Sequence, residues 1–582
     1  MAERIRFHFD EHMDPDIAAA LRRHGIDATT RNRSMTAYSA NPAGEEFPIP
    51  SEADYPVELA RLEALVEQAR GEGKEIVVVM GVGFVGAVMA AVIADTVDKT
   101  TGKPSKLVIG CDLPNVRSYW KIPMVNRGES PVKAEDPEVE PMIARCVKEK
   151  KTLTATFNNE CLKLADCVVV DVQCDFTKHE LGKMRTGEAE MSALEATIRT
   201  IGQNIQAHCL TLIETTVSPG TTEFVAWPLM KKAFAARGIT SEPLLAHSFE
   251  RVMPGRDYVS SVRDFWRVCS GCNAEARARV EKFLREVLNT EQFPLTVMDR
   301  PIESETTKII ENSYRATILA FMNEWSLFSE RNGVDLIKVI KAIKMRPTHS
   351  NMIFPGPGVG GYCLPKDAGL GYWAYKHILG FEDGDDVFKL SPMAIDINDT
   401  RSLHVAEMTR DALRNMGRYI AGADVLICGA SYRQGVGDTR YSGSEMVVRK
   451  LTEMGAEMRV HDPYVDHWAE LEQQDVYPAP GHSWSRFFRN QDGLRDLQVQ
   501  KDLADALKHA EALILAVPHE QYLHLDPDQI IKWVGAPLAV IDCFGILSDE
   551  KIRRYFELGC EVKALGRGHI RRIKEQVRAK PK

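Results

Sequence analysis

Apolar and polar positions change period regularly along the 582-residue chain. Between about residue 74 and residue 300, short aliphatic runs at 76–80, 107–111, 167–172 and 210–214 alternate with stretches of helical period. Runs this short and this apolar read as strands buried on both faces, and their alternation with helices predicts an open parallel α/β sheet. Residues 302–333, IESETTKIIENSYRATILAFMNEWSLFSERNG, form one long helical pattern that stops at Asn332-Gly333, a pair suited to a left-handed helix end. Residues 334–415 continue mainly helical. A second α/β unit opens with a strand at 423–428 and the small-residue turn Gly429-Ala430-Ser431, with further strands at 457–461, 512–517 and 538–542. The expected fold class is α/β, with two doubly wound lobes joined by a long central helix and a helical middle domain. The expected units are an N-terminal appendage and linker at 1–57, a first lobe at 58–300, a helical domain at 301–418 and a second lobe at 419–582. Residues 35–57, rich in Ser, Pro, Ala and Glu, read as linker, and 57–68 as a helix packed on the first lobe. Residues 475–498, with Pro, Gly, His, Trp and paired Phe, read as a loop insert.

The first strand carries chemistry. Residues 74–86 read KEIVVVMGVGFVG, so a strand runs straight into Gly81-x-Gly83-Phe84-Val85-Gly86 and then a small-residue helix. Strand, tight glycine turn and helix N-terminus are the context in which this fingerprint binds a dinucleotide pyrophosphate, which makes the first lobe Rossmann-like in expectation, while the strand and small-residue turn at 423–431 make the second lobe resemble the same nucleotide-binding type. The second strand ends at Asp112, an acid placed to bind a ribose 2′-hydroxyl and so to favour NAD over NADP. The polar insert 99–105 lengthens that spacing, and Arg117 lies close by. Residues 356–367, GPGVGGYCLPKD, deliver Cys363 from a glycine-rich loop ahead of Pro365, with Asp367 four residues on. If Pro365 sits in the first turn of a helix, the dipole favours thiolate at Cys363, and Asp367 lies one turn further on the same face. A nucleophilic sulfur beside a carboxylate points to a thiohemiacetal or thioester. A buried cysteine in a glycine turn is the plainer reading of the loop alone.

Composition narrows the class. Hydrophobic residues are 44% of the chain and the net charge is −9, which fits neither a general nucleic-acid binder nor one of anionic membranes. No apolar run approaches the roughly 20 residues of a membrane span, and the start MAERIRFHFDEH has no apolar leader, so a cytoplasmic protein is expected. The twelve cysteines are scattered, as reduced thiols rather than a disulfide framework would be. Cys269-x-x-Cys272 has no second pair, reads as structural, and no metal is expected.

Five further segments follow in order: IETTVSPGTT at 213–222, HSFERVMPG at 247–255, ETTKIIEN at 305–312, GASYRQGVGDTRYSGSEM at 429–446 and HDP at 461–463. With the cysteine loop, this set resembles the UDP-glucose/GDP-mannose dehydrogenase family from about residue 74 to 570. The resemblance implies oxidation of the C6 alcohol of a nucleotide-sugar to a carboxylate with two NAD⁺ and one water. It implies NAD in the first lobe, with Gly81, Gly83, Phe84, Val85, Gly86, Asp112 and Arg117 around it, and a nucleotide-sugar held partly by the second lobe. Gly360, Gly361, Tyr362 and Arg433 are the implied substrate contacts. By the same resemblance Cys363 is the nucleophile and Asp367 assists thioester hydrolysis. Lys308 and Asn312 stabilise charge on the C6 oxygen, and their i,i+4 spacing puts both donors on one helix face. Thr216 holds the reactive water, Glu250 does acid–base work, and Arg440 reaches the cofactor and reaction site from the second lobe. A homodimer or larger homo-oligomer is expected.

The chain also departs from the family. VVVDVQCDF stands where the family has a Val-Pro-Thr-Pro type turn, and Arg433 where a Lys is usual. GPGVGGY and ERVMPG resemble the UDP-N-acetylhexosamine branch, whereas CLPKD resembles the UDP-glucose and GDP-mannose branches. Residues 1–34 lie outside the resemblance and are similar to the start of PIN-like domains, with Asp10 and Glu11 as the acids. They read as a remnant or docking appendage. Two other functions remain open: a two-electron hydroxy-acid dehydrogenase, which needs no Cys363, and a non-catalytic nucleotide-sugar-binding scaffold.

Overall fold

The computed structural model describes residues 37–472, 483–488 and 491–579. The PIN-like reading of residues 1–34, with Asp10 and Glu11, and much of the expected insert lie outside the described residues. The chain first forms a hairpin, β1 (Tyr38–Ala40) and β2 (Glu46–Pro48), and then helix α1 (Asp54–Gly71). The stretch expected as linker is therefore partly a docked hairpin, because Phe47 and Ser39 are buried and hold it to the lobe that follows.

The first lobe is a sheet of eight strands. In chain order they are β3 (Glu75–Met80), β4 (Lys106–Cys111), β5 (Leu153–Thr156), β6 (Cys167–Val170), β9 (Leu210–Ile213), β10 (Leu244–His247), β11 (Val268–Gly271) and β12 (Thr296–Val297), with the hairpin β7 (Asp175–Thr177) and β8 (Glu188–Glu190) outside it. The spatial order β5-β4-β3-β6-β9-β10 is that of a doubly wound dinucleotide-binding sheet, and β11 then pairs antiparallel with β10. β3 and β6 are parallel, but the strands that follow β3 are added first on one side of it and then, from β6, on the other, so the carboxyl ends of these two strands open a crevice. Helix α2 (Phe84–Asp95) packs into the lobe with Gly86 through Ala94 all buried. Of these, the larger side chains of Val88, Met89, Val92 and Ile93 each contribute ~1.5–3 kcal/mol on burial.

Helix α3 (Lys121–Arg127) follows β4, and α4 (Pro301–Asn332) is the long central helix, ended by Gly333 at φ 71°. Helices α5 (Asp367–His377) and α6 (Leu390–Asn415) pack on it. The second lobe has six parallel strands: β13 (Asp424–Cys428), β14 (Glu457–His461), β15 (Val499–Gln500), β16 (Ala512–Leu515), β17 (Ala539–Asp542) and β18 (Glu561–Ala564). Their order, β15-β14-β13-β16-β17-β18, repeats the first lobe's winding. The periodic strand and helix readings hold to within a few residues. The short strands β5, β7, β8, β10, β11, β12, β15 and β18 were not legible, because runs of two to four residues are too short for a period to be told from a loop. Among the described residues no helix is long and apolar enough to cross a membrane.

Candidate active site

The glycine turn after β3 has three different geometries. Gly81 adopts φ +94°, and a Cβ there would stand 2.9 Å from the Asp171 carbonyl. At Gly86 a Cβ would meet the Gly81 carbonyl at 1.9 Å, so only glycine lets helix and turn approach this closely. Gly83, the residue that caps α2, has nothing within 4 Å of a Cβ position. One side of the turn is thus packed tight and the other is open to a group brought against the helix N-terminus. Asp112 stands beside it at the end of β4. Its Oδ2 accepts hydrogen bonds from the Val82 amide (3.1 Å) and from Lys121 Nζ (3.1 Å). This cradle and acid fit a dinucleotide. Val85 lies in the first turn of α2, and Phe84 stacks on Tyr258 with ring centroids 5.0 Å apart. The exposed Arg117 lies on the segment just beyond Asp112.

The cysteine loop runs between the lobes. Gly361, at φ +83°, donates its amide to the Arg440 carbonyl at 2.9 Å, and a Cβ at Gly360 would strike Tyr432 at 2.6 Å. Tyr362 donates to Asp175 Oδ1 at 2.5 Å and to the Cys174 carbonyl at 3.2 Å. The Arg440 guanidinium lies 5.0 Å from the Phe84 ring centre and 5.4 Å from that of Tyr362, so it joins the glycine turn after β3 to the cysteine loop. Arg433 is exposed, and a side chain at Gly255 would stand 3.8 Å from its guanidinium.

Cys363 departs from expectation in two ways. Helix α5 starts at Asp367, so Pro365 occupies the turn ahead of the helix rather than its first turn. The Asp367 amide instead closes that turn on the Cys363 carbonyl at 3.0 Å. The thiol is also not poised as a thiolate. Burial, and then the Asp367 carboxylate, push it up to about 11, with Lys308 working the other way.

Lys308 and Asn312, one turn apart on α4, reach different partners. Asn312 Nδ2 donates to Asp367 Oδ2 at 2.6 Å, and Lys366 Nζ reaches Asp367 Oδ1 at 2.9 Å. The carboxylate is fully buried between them. Lys308 Nζ donates to the Glu250 carbonyl at 2.9 Å and lies 3.7 Å from its Oε1. Burial alone would lower the Lys308 ammonium, but the charges of Glu250, Cys363 and Asp367 outweigh it and hold the group above its ordinary range. Thr216 is buried in the turn after β9.

Sequence reasoning missed the groups behind these. Glu214 pairs with Arg267 at 2.7 Å, both fully buried, and Arg267 also donates to the Phe249 carbonyl at 2.8 Å. Neither oxygen of Asp171 has a hydrogen-bond partner. Burial, and then the charges of Glu214 and Glu250, raise the Asp171 carboxyl well above the carboxylate range. Its one sequence signal was the departure VVVDVQCDF.

Three sequence models match in order. Residues 75–288 match the UDP-glucose/GDP-mannose dehydrogenase family, NAD binding domain; 302–382 match its central domain; and 426–549 match its UDP binding domain. UDP-N-acetyl-D-mannosamine dehydrogenase of Pyrococcus horikoshii is 29% identical over 394 residues, 67% of this chain and 84% of that protein. UDP-N-acetyl-D-glucosamine 6-dehydrogenase of Pseudomonas aeruginosa is 24% identical over 82% of this chain and 98% of its own. The crystal structure of NDP-N-acetyl-D-galactosaminuronic acid dehydrogenase from Methanosarcina mazei Go1 superposes with a TM-score of 0.67 at 26% identity, over 88% of this chain and 98% of that one.

Proposed function

Because the chain belongs to the UDP-glucose/GDP-mannose dehydrogenase family, we propose that it oxidises the C6 alcohol of a UDP-N-acetylhexosamine to the uronate, with NAD as cofactor and Cys363 as covalent nucleophile. The observation that carries this reading is the meeting of Cys363 and Asp367 with Lys308 and Asn312, across 55 residues of sequence. The substrate class rests on two supports. The relatives described above are named for N-acetylated sugar nucleotides, and GPGVGGY and ERVMPG have that branch's form.

Gly81, Gly83 and Gly86 would hold the pyrophosphate and Asp112 the ribose. A nicotinamide held there supplies the hydride acceptor for each of the two oxidations. Lys308, kept protonated beside Glu250, and the Asn312 amide donate to the C6 oxygen as charge develops on it. Loss of the first hydride from C6, with release of the hydroxyl proton, leaves an aldehyde. Cys363 Sγ gives up its proton and adds to the aldehyde carbon; the S–C bond forms and the carbonyl π pair ends on oxygen, which takes a proton to become a hydroxyl. Loss of a second hydride leaves a thioester. Water, held by Thr216 with Glu250 as base, adds to that carbonyl; the S–C bond breaks, the sulfur leaves with its electron pair, and the carboxylate departs. Asp367 assists this last step. One alcohol and one water thus yield one carboxylate, two hydride equivalents and three protons.

The test is stoichiometric. Incubation with UDP-N-acetylglucosamine, UDP-N-acetylmannosamine, UDP-glucose, UDP-galactose and GDP-mannose is expected to give two NADH per sugar consumed, a uronate product, fastest rates with the N-acetylated pair, and a preference for NAD⁺ over NADP⁺. One NADH per substrate with a carbonyl product would favour the two-electron dehydrogenase, and no NADH from any sugar would favour the scaffold.

A second copy of the chain is the proposed cover for one face of α4. Ile310, Tyr314, Phe321, Trp325 and Phe328 lie on a single helical face and are 45–61% exposed. A contiguous apolar stripe of this length is unusual on a monomer, and an isologous pair would bury it twice. Sedimentation is expected to show a dimer that Trp325→Glu converts to monomer; a wild-type monomer would sink the reading.

A further inference from the structure

The hairpin β1–β2 lies ahead of the span matched by the family's cofactor-domain model, which begins at residue 75. Nothing in the reaction above uses it. Its contacts converge on one segment, the stretch between β4 and the end of α3 that leaves the ribose acid Asp112. Ser39 is fully buried there. Its hydroxyl donates to the Val116 carbonyl at 2.8 Å and accepts from the Trp120 amide at 3.1 Å. The Trp120 indole donates back to the Arg117 carbonyl at 3.0 Å. One hydroxyl therefore pins both ends of the turn that carries Arg117.

The rest of the hairpin grips α3. Arg127 forms two hydrogen bonds to Glu45, at 2.7 and 2.9 Å, and stacks over the Phe47 ring at 5.3 Å. Asn41 Nδ2 lies 3.7 Å from Met124 Sδ. At the other end of the same helix, Lys121 pairs with the Asp112 oxygen that also takes the Val82 amide. A continuous set of contacts thus leads from the hairpin, through residues 116–121, to the acid beside the glycine turn. The segment needs such support. Leu113 is 57% exposed and Val116 59%, so little apolar burial holds it in place. A binding loop left loose must be ordered when its ligand arrives, and that cost is subtracted from affinity.

We propose that the hairpin is a brace that pre-orders residues 112–121 for the adenosine-ribose half of NAD, with Ser39 as its positioning residue. The proposal rests on the cofactor reading given above. It makes cofactor affinity depend on a part of the chain outside the matched cofactor domain.

The experiment uses the full-length chain with Ser39→Ala, Ser39→Thr and Glu45→Gln. NAD⁺ and UDP are titrated separately by calorimetry, and amide exchange is followed without either ligand. Ser39→Ala is expected to weaken NAD⁺ binding roughly three- to ten-fold, the size of losing one or two buried hydrogen bonds. UDP binding should not change. Exchange should quicken at residues 113–120 and not across the sheet. Ser39→Thr keeps the hydroxyl and should restore most of the affinity. Glu45→Gln, at a half-exposed position that opens no void, should give a smaller loss in the same direction. Wild-type NAD⁺ affinity in both Ser39→Ala and Glu45→Gln would overturn the proposal, and so would equal losses for NAD⁺ and UDP, which would mark a purely structural role. If the wild-type protein binds UDP but not NAD⁺, the cofactor reading itself fails and takes the brace with it.

Discussion

Cys363→Ser is expected to abolish net NADH production, by on the order of 10³-fold or more, the scale on which loss of a nucleophile is felt. Binding of the nucleotide-sugar should be nearly unchanged, because the Gly358–Gly361 backbone and Tyr362 keep their contacts and serine is smaller than cysteine. The reason lies in the electrostatics. The thiol is already pushed up to about 11 by burial and by Asp367, and an alcohol in the same place would ionise far less readily than a thiol. The sulfur of the free protein is therefore held mainly as thiol at neutral pH. Its alkylation by iodoacetamide should rise about tenfold per pH unit through neutrality and level off only near pH 11. Turnover by the serine variant near the wild-type rate would remove the covalent mechanism. An alkylation midpoint below neutrality would remove the account of the thiol.

Lys308→Ala should cost roughly 10²–10³ in turnover, as removal of a preorganised donor at a developing oxyanion does. The loss has a second component. Lys308 is a cation among Glu250, Asp367 and Cys363, and it lowers the thiol's affinity for its proton. Without it, the alkylation profile of Cys363 should move to higher pH, a change that a folding defect would not produce. An unmoved profile with full activity would mean that Lys308 only anchors the Glu250 segment through its 2.9 Å bond to that carbonyl.

The two candidate centres differ in how far they could be read from the chain. The glycine turn after β3 was legible because its demands are local. A left-handed backbone at Gly81 and a contact at Gly86 too close for any Cβ require glycine, whatever the rest of the fold does. Helix α4 was legible too, since Asn332-Gly333 stops it and its period persists over nine turns' length. The hairpin was not legible. Three-residue strands carry almost no period, and the Ser39 hydroxyl matters only through residues 77 and 81 positions away.

What the sequence by itself determined was the class of fold, the order of the family's segments, and which side chains share a helix face. Those follow from short-range geometry: 3.6 residues per helical turn, alternation in strands, and the special backbones of glycine and proline. Only the tertiary structure decided that Asn312 meets Asp367, that Arg267 pairs with Glu214 behind the site, that both carboxylate oxygens of Asp171 are buried without a hydrogen-bond partner, and that the Cys363 thiol is held up rather than lowered. Protonation depends on desolvation and on charges brought close in space by distant segments. The spacing of Cys363 and Asp367 is a property of the chain, but the dielectric and the charges around them exist only once both lobes have closed over α4.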